Sequence, residues 1–148
     1  MNAANLHLLV THLPIAGFAI GLFLLCATMV RRGDRGMFLA SVLVLVISGT
    51  GAVAAQLTGE PTEAVMEHLE DVPEGLIETH AKSALVATIL AGITILLALV
   101  LCVVALRREG RIGILPLAIL LLATLVTCVA MTRTGATGGQ IHHSEIRG

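Results

Sequence analysis

The chain has 148 residues, 56% of them hydrophobic and 13% charged, with a net charge of −1 and a mean hydropathy of +0.95. This is far too apolar for a soluble domain of this size, so the composition excludes that class and indicates an integral membrane protein. The charge balance singles out no partner, and no nucleic acid is expected.

Four apolar runs follow one another: Leu6 to Val30, Met37 to Leu57, Ser83 to Leu106 and Ile112 to Met131. Each reaches the roughly 20 residues a helix needs to cross a hydrocarbon core of about 30 Å. The expectation is an all-α, four-helix transmembrane bundle forming one domain over 1–148. Its spans are expected at about 6–30, 37–58, 80–106 and 112–132, with an outer loop at 59–79 and an outer tail at 133–148. The first run lacks a basic leader and is too long for a signal-peptide core, so it reads as a retained helix.

Helix one carries His7 and His12 near its start and Pro14 just after them. Pro14 leaves the carbonyl of Val10 without its intrahelical donor, which predicts a helix kinked or started at His12. His7 lies about 140° round the helix from His12, so the two should not meet on one ion. Further on, Gly17 and Gly21 form a small-xxx-small pair suited to close helix approach.

The connections Arg31-Arg32-Gly33-Asp34-Arg35 and Arg107-Arg108-Glu109-Gly110-Arg111 hold six of the nine basic residues. The positive-inside rule makes them cytoplasmic. Both termini then lie outside, periplasmic if the protein sits in a bacterial inner (cytoplasmic) membrane. In helix two Ser48, Gly49 and Gly51, and in helix three Gly92, read as tight packing or as room for a flat cofactor.

The outer loop reads as partly ordered. Glu60-Pro61-Thr62-Glu63 has the form of a helix start, with Pro at the first helical position. Ala64, Val65, Met66 and Leu69 would give that short helix an apolar face. Asp71 with Glu74 offers a second start, so helix three is expected to begin near Pro73. Leu76, His80 and Ala84 share one face of it, which turns His80 into the bundle. His68 sits in an acidic amphipathic stretch and reads as solvated. After helix four, Thr134 to Gly139 reads as a flexible bend that folds Ile141 to Ile146 back over the outer mouth.

Cys26, Cys102 and Cys128 all lie inside apolar runs and read as small buried hydrophobes. No C-x-x-C-H is present, which excludes covalent c-type haem attachment.

All six histidines fall on the outer side. Outer segments are longer than the inner loops, so part of this is chance. Imidazole is nonetheless the commonest metal ligand, and ionisable groups at membrane depth are costly and tend to be functional. His12, His80 and either His143 or His142 come from three separate segments and are expected to converge. His7 would join from the rim, and Glu60 could add a carboxylate. One cofactor suited to this set is a b-type haem between helices, held by axial ligands from His12, His80, His143 and His7. The other is a zinc, copper or iron ion held by His12, His80, His143 or His142, and Glu60.

Asn5 to Ile15, with its His12-Leu13-Pro14-Ile15, resembles the H-x-P-I opening of a group of small bacterial four-helix membrane proteins of unknown function. Leu57-Thr58-Gly59-Glu60-Pro61, Ile77-Glu78-Thr79-His80 and the stretch Gly138 to Ile146 are similar to the same group. The likeness covers essentially the whole chain. It implies His12, Glu60, His80 and His143 as marked polar positions, with His142 a local departure. Related domains look as though they keep company with cytochromes, which implies haem.

The leading expectation is therefore a membrane-embedded b-type cytochrome-like protein that passes electrons to an outer partner. That partner would be a periplasmic cytochrome or a larger respiratory complex. A metal-ion-binding membrane protein and a structural subunit with glycine-lined interfaces are the alternatives, and self-association is open. No activated Ser or Cys is present, so an enzymatic role has little to build on.

Overall fold

The computed structural model of the protein describes residues 3–66, 73–107, 112–143 and 145. Within the helical stretches the side chains of residues 3–4, 60–66 and 142 lie outside that description, as does the whole of His68. The elements are α1 (Ala3–Val30), α2 (Arg35–Met66), α3 (Glu74–Arg107) and α4 (Ile114–His142). Among the described residues there is no strand.

Each helix contains a run long and apolar enough to cross a membrane. At about 1.5 Å per residue, even α1 with 28 residues exceeds a hydrocarbon core of about 30 Å. The outward faces are apolar: Leu9, Phe23, Leu43, Ile93, Leu96 and Leu122 are all exposed. The interior is where the small and hydroxylic residues go. Thr28, Ser41, Ser48, Thr94, Thr124 and Thr127 are buried. Most of these hydroxyls donate to a carbonyl one turn back in their own helix, as Thr124 does to Leu120 at 2.8 Å. This distribution suits a lipid solvent, where close helix packing and satisfied hydroxyls replace the hydrophobic drive.

α1 packs most extensively on α2, and α3 on α4, while α1–α4 and α2–α3 close the ring. α1 and α3 therefore stand diagonally across the bundle, as do α2 and α4. Phe18, Leu25, Phe38 and Leu45 fill the core completely buried. The glycines of α1 and α2 belong to helix packing: a Cβ on Gly17 would strike Ser48, on Gly21 Leu45, on Gly49 Ile95 and on Gly51 Leu13. Gly92 faces open space.

At the arginine end α1 stops in a Schellman motif. Arg32 N–H bonds to Met29 O at 3.0 Å and Gly33 N–H to Thr28 O at 2.8 Å, with φ of 54° at Arg32 and 78° at Gly33. Gly33 is needed there because a Cβ would also run into the backbone of Ile112. Asp34 then caps α2, its Oδ1 accepting from Met37 N–H at 2.9 Å. The two loops are tied by Ile112 N–H to Gly33 O at 3.2 Å.

Three boundaries differ from expectation. α1 does not start at His12 but begins well before it and continues through Pro14, because proline removes one bond from a helix that its neighbours hold in place. Residues 60–66 extend α2 rather than forming a separate loop helix. Thr134 to Gly139 is not a bend either, since α4 passes straight through it to His142. Threonine hydroxyls support that stretch, Thr134 bonding Ala130 O at 3.0 Å and Thr137 bonding Thr134 O at 2.9 Å. The expected start of α3 near Pro73 is as observed.

A histidine-walled cavity as candidate functional site

At the end of the bundle opposite the arginine loops, the four helices enclose a cavity of about 760 Å³. Its walls are small. Ala52, Ala55 and Gly59 come from α2, Ala81, Ala84 and Ala87 from α3, and Gly135, Gly138 and Gly139 from α4. His7, His12, His80 and His143 all line it. The volume lies within the roughly 300–1,000 Å³ of small-molecule and cofactor pockets.

His80 is half-buried and reaches α4, where its Nδ1 lies 3.1 Å from Thr134 O and 3.2 Å from Thr137 Oγ1. A carbonyl only accepts, so Nδ1 carries the proton. Thr137 spends its own hydrogen on Thr134 O, leaving its oxygen to accept from His80. In the neutral ring the lone pair is therefore on Nε2, the form in which a histidine ligates a metal with its other nitrogen oriented by a backbone carbonyl. Gly138 makes room for the ring, since a Cβ there would lie 2.9 Å from His80 Cε1.

His7 does the same on the opposite hairpin. Its Nδ1 lies 3.0 Å from Ala55 O and 3.1 Å from Thr58 Oγ1, and Thr58 donates onward to Ala54 O at 2.9 Å. Gly59 faces the ring, a Cβ there lying 3.7 Å from His7 Cε1. His7 is half-buried.

The other candidates are placed differently. His12 is exposed and directs Nδ1 to Leu8 O of its own helix at 3.2 Å. His143, just past the end of α4, is exposed and pairs with Glu145 at 2.8 Å. Among the described residues no three of His, Cys, Asp and Glu gather as a metal-ion group. The side chains of Glu60 and His142 lie outside the described residues, as does His68. The three cysteines are free, and none lines the cavity.

Reading the sequence left His7 at the rim and missed Thr58, Thr137 and Gln56. Gln56 lines the cavity, and its Oε1 is buried without a hydrogen-bond partner among the described residues. A buried polar atom left so is uncommon. Thr-Gly repeated at 58–59 and 137–138 was the available signal for the two ring supports.

The cavity thus offers imidazoles with defined tautomers, several alanines and glycines in its lining, and a volume in the range of small-molecule sites. Fold and cavity together define a four-helix membrane protein with a histidine-walled chamber at one end. Residues 3–145 match the family described as Predicted membrane protein (DUF2231), and the chain belongs to that family. No curated protein and no solved structure matches it.

Proposed function

We propose that this is a membrane-embedded b-type cytochrome-like electron-transfer protein, with the cavity as its haem site. The observation that carries this reading is the cavity itself: imidazoles held by cross-helix bonds around a chamber with alanine and glycine walls. A haem bound there would supply a one-electron couple. The chain's part is to orient the imidazoles through the carbonyls of Ala55 and Thr134 and to keep bulk water from the chamber with Ile15, Ile77 and Met131. The arginine-rich sequence of the two short connections favours an orientation with the histidine end outward. In a bacterial inner membrane both termini would then be periplasmic, within reach of a periplasmic cytochrome or a respiratory complex.

The test is an absorption spectrum with metal analysis on protein purified in detergent after haem supplementation. A Soret band with a reducible low-spin spectrum is expected. A colourless protein ends the proposal, and stoichiometric zinc, copper or iron without porphyrin replaces it with a metal-ion site.

A further inference from the structure

The two helical hairpins repeat one another. One constant shift along the sequence carries His7, Leu8, Thr11, Pro14 and Ile15 of α1 onto His80, Ala81, Ala84, Ala87 and Thr88 of α3, and all ten line the cavity. A second constant shift carries Ala52, Ala55, Gln56 and Gly59 of α2 onto Met131, Thr134, Gly135 and Gly138 of α4, again all lining it. The same shifts hold in the core. Buried Phe18 and Leu25 fall on buried Ala91 and Ala98, while buried Phe38, Leu45 and Ser48 fall on buried Leu117, Thr124 and Thr127. They even carry the first residue of α2, Arg35, onto the first residue of α4, Ile114.

Helical periodicity alone would align inward faces. It would not place at matching registers an imidazole whose Nδ1–H bonds a carbonyl and a threonine one turn on, with glycine next to that threonine. Both hairpins have this arrangement: His7 with Ala55, Thr58 and Gly59, and His80 with Thr134, Thr137 and Gly138. Four aliphatic pairs are also identical, Ile20/Ile93, Leu24/Leu97, Val30/Val103 and Leu43/Leu122, but they lie away from the cavity, and the polar and glycine identities are confined to this arrangement. His12 has no such twin, since its counterpart is Leu85, an exposed residue.

We infer that the cavity consists of two twin half-sites about a pseudo-two-fold axis, and that its occupant is one planar ligand bracketed by His7 and His80. The inference rests on the haem reading and narrows it: His12 and His143 stand outside the coordination. Because α1 and α3 are diagonal in the ring, imidazoles on them approach such a ligand from opposite sides. A pair of this kind needs no third ligand, in keeping with the lack of a three-residue metal group among the described residues.

The test uses the full chain loaded with ferric haem b. His7→Ala and His80→Ala should each convert a low-spin spectrum to high-spin, and added imidazole should restore it in both. His7→Met and His80→Met keep the volume and offer a sulfur ligand, and should give matching mixed-ligand spectra. His12 and His143 line the cavity without ligating, so His12→Ala and His143→Ala should each retain a low-spin spectrum. A low-spin spectrum retained in His7→Ala, or lost in His12→Ala or His143→Ala, overturns the pairing while the haem reading stands. A wild-type chain that takes up no haem overturns the haem reading and removes the pairing with it.

Discussion

Replacing Gly138 by alanine should displace one ring of the cavity, whereas the same change at Gly59 should not. A Cβ at Gly138 would lie 2.9 Å from His80 Cε1 and 3.2 Å from its Nδ1. A Cβ at Gly59 would stand 3.7 Å from His7 Cε1, an ordinary contact. Both substitutions gain the same helix propensity, about 1 kcal/mol for alanine over glycine. The difference between them therefore isolates the cost of moving the His80 ring. That ring is the end of a side chain and can swing aside, but it then gives up its bonds to Thr134 O and Thr137 Oγ1. Hydrogen bonds between membrane helices average about 0.6 kcal/mol and reach about 1.7. The single Nδ1–H is shared between these two acceptors, so its loss makes Gly138→Ala less stable than Gly59→Ala by about 0.6–1.7 kcal/mol. Reversible unfolding in mixed micelles, monitored by circular dichroism, measures both variants against wild type. Equal stabilities, or a Gly138→Ala protein more stable than Gly59→Ala, would refute the ring-displacement account.

Other parts of the structure give sharper or simpler tests. Thr94→Val removes the hydroxyl contact to Thr127 across α3 and α4, 2.9 Å long. It should cost about 0.6–1.7 kcal/mol in the same unfolding assay, more than Thr124→Val, whose hydroxyl bonds only its own helix. Asp34→Ala should lose about 1 kcal/mol through the α2 cap, with Asp34→Asn close to wild type, both read by thermal melting. Gln56→Leu removes a buried acceptor that has no partner among the described residues. By the usual cost of such a group, about 1–3 kcal/mol, it should stabilise the ligand-free protein, and a large loss of stability would show that Gln56 is satisfied by other means.

The four helices were legible because each apolar run exceeds the membrane thickness, a constraint no tertiary contact can override. Their ends were harder to read. Pro61 looks like an initiator by local chemistry, yet α2 runs on past it to Met66. Thr134 to Gly139 has the composition of a hinge because glycine and threonine are poor helix formers in isolation. It is helical here because those small residues let α1 and α3 come close: Ile15 lies against Gly135 and His80 against Gly138. His80 was legible from its helical face. The worth of His7 was not, since its partners Ala55 and Thr58 lie far along the chain on another helix. The repeat of the hairpins escaped sequence reading because so few of the matched positions keep the same residue.

The bond from Ile112 N–H to Gly33 O is, among the described residues, the one backbone link between the two hairpins. It fastens them at the end remote from the cavity. At the cavity end Ile15 of α1 lies against Gly135 of α4, and the threonine–histidine bonds there stay within each hairpin. Fastened in this way, the two hairpins are expected to separate more easily at the cavity end than at the end held by Gly33 and Ile112. Such separation requires no unfolding of the core around Phe18 and Leu25. Amide hydrogen exchange should be faster at residues 131–141 than at 114–124 of the same helix, with the gradient abolished once the chamber is filled.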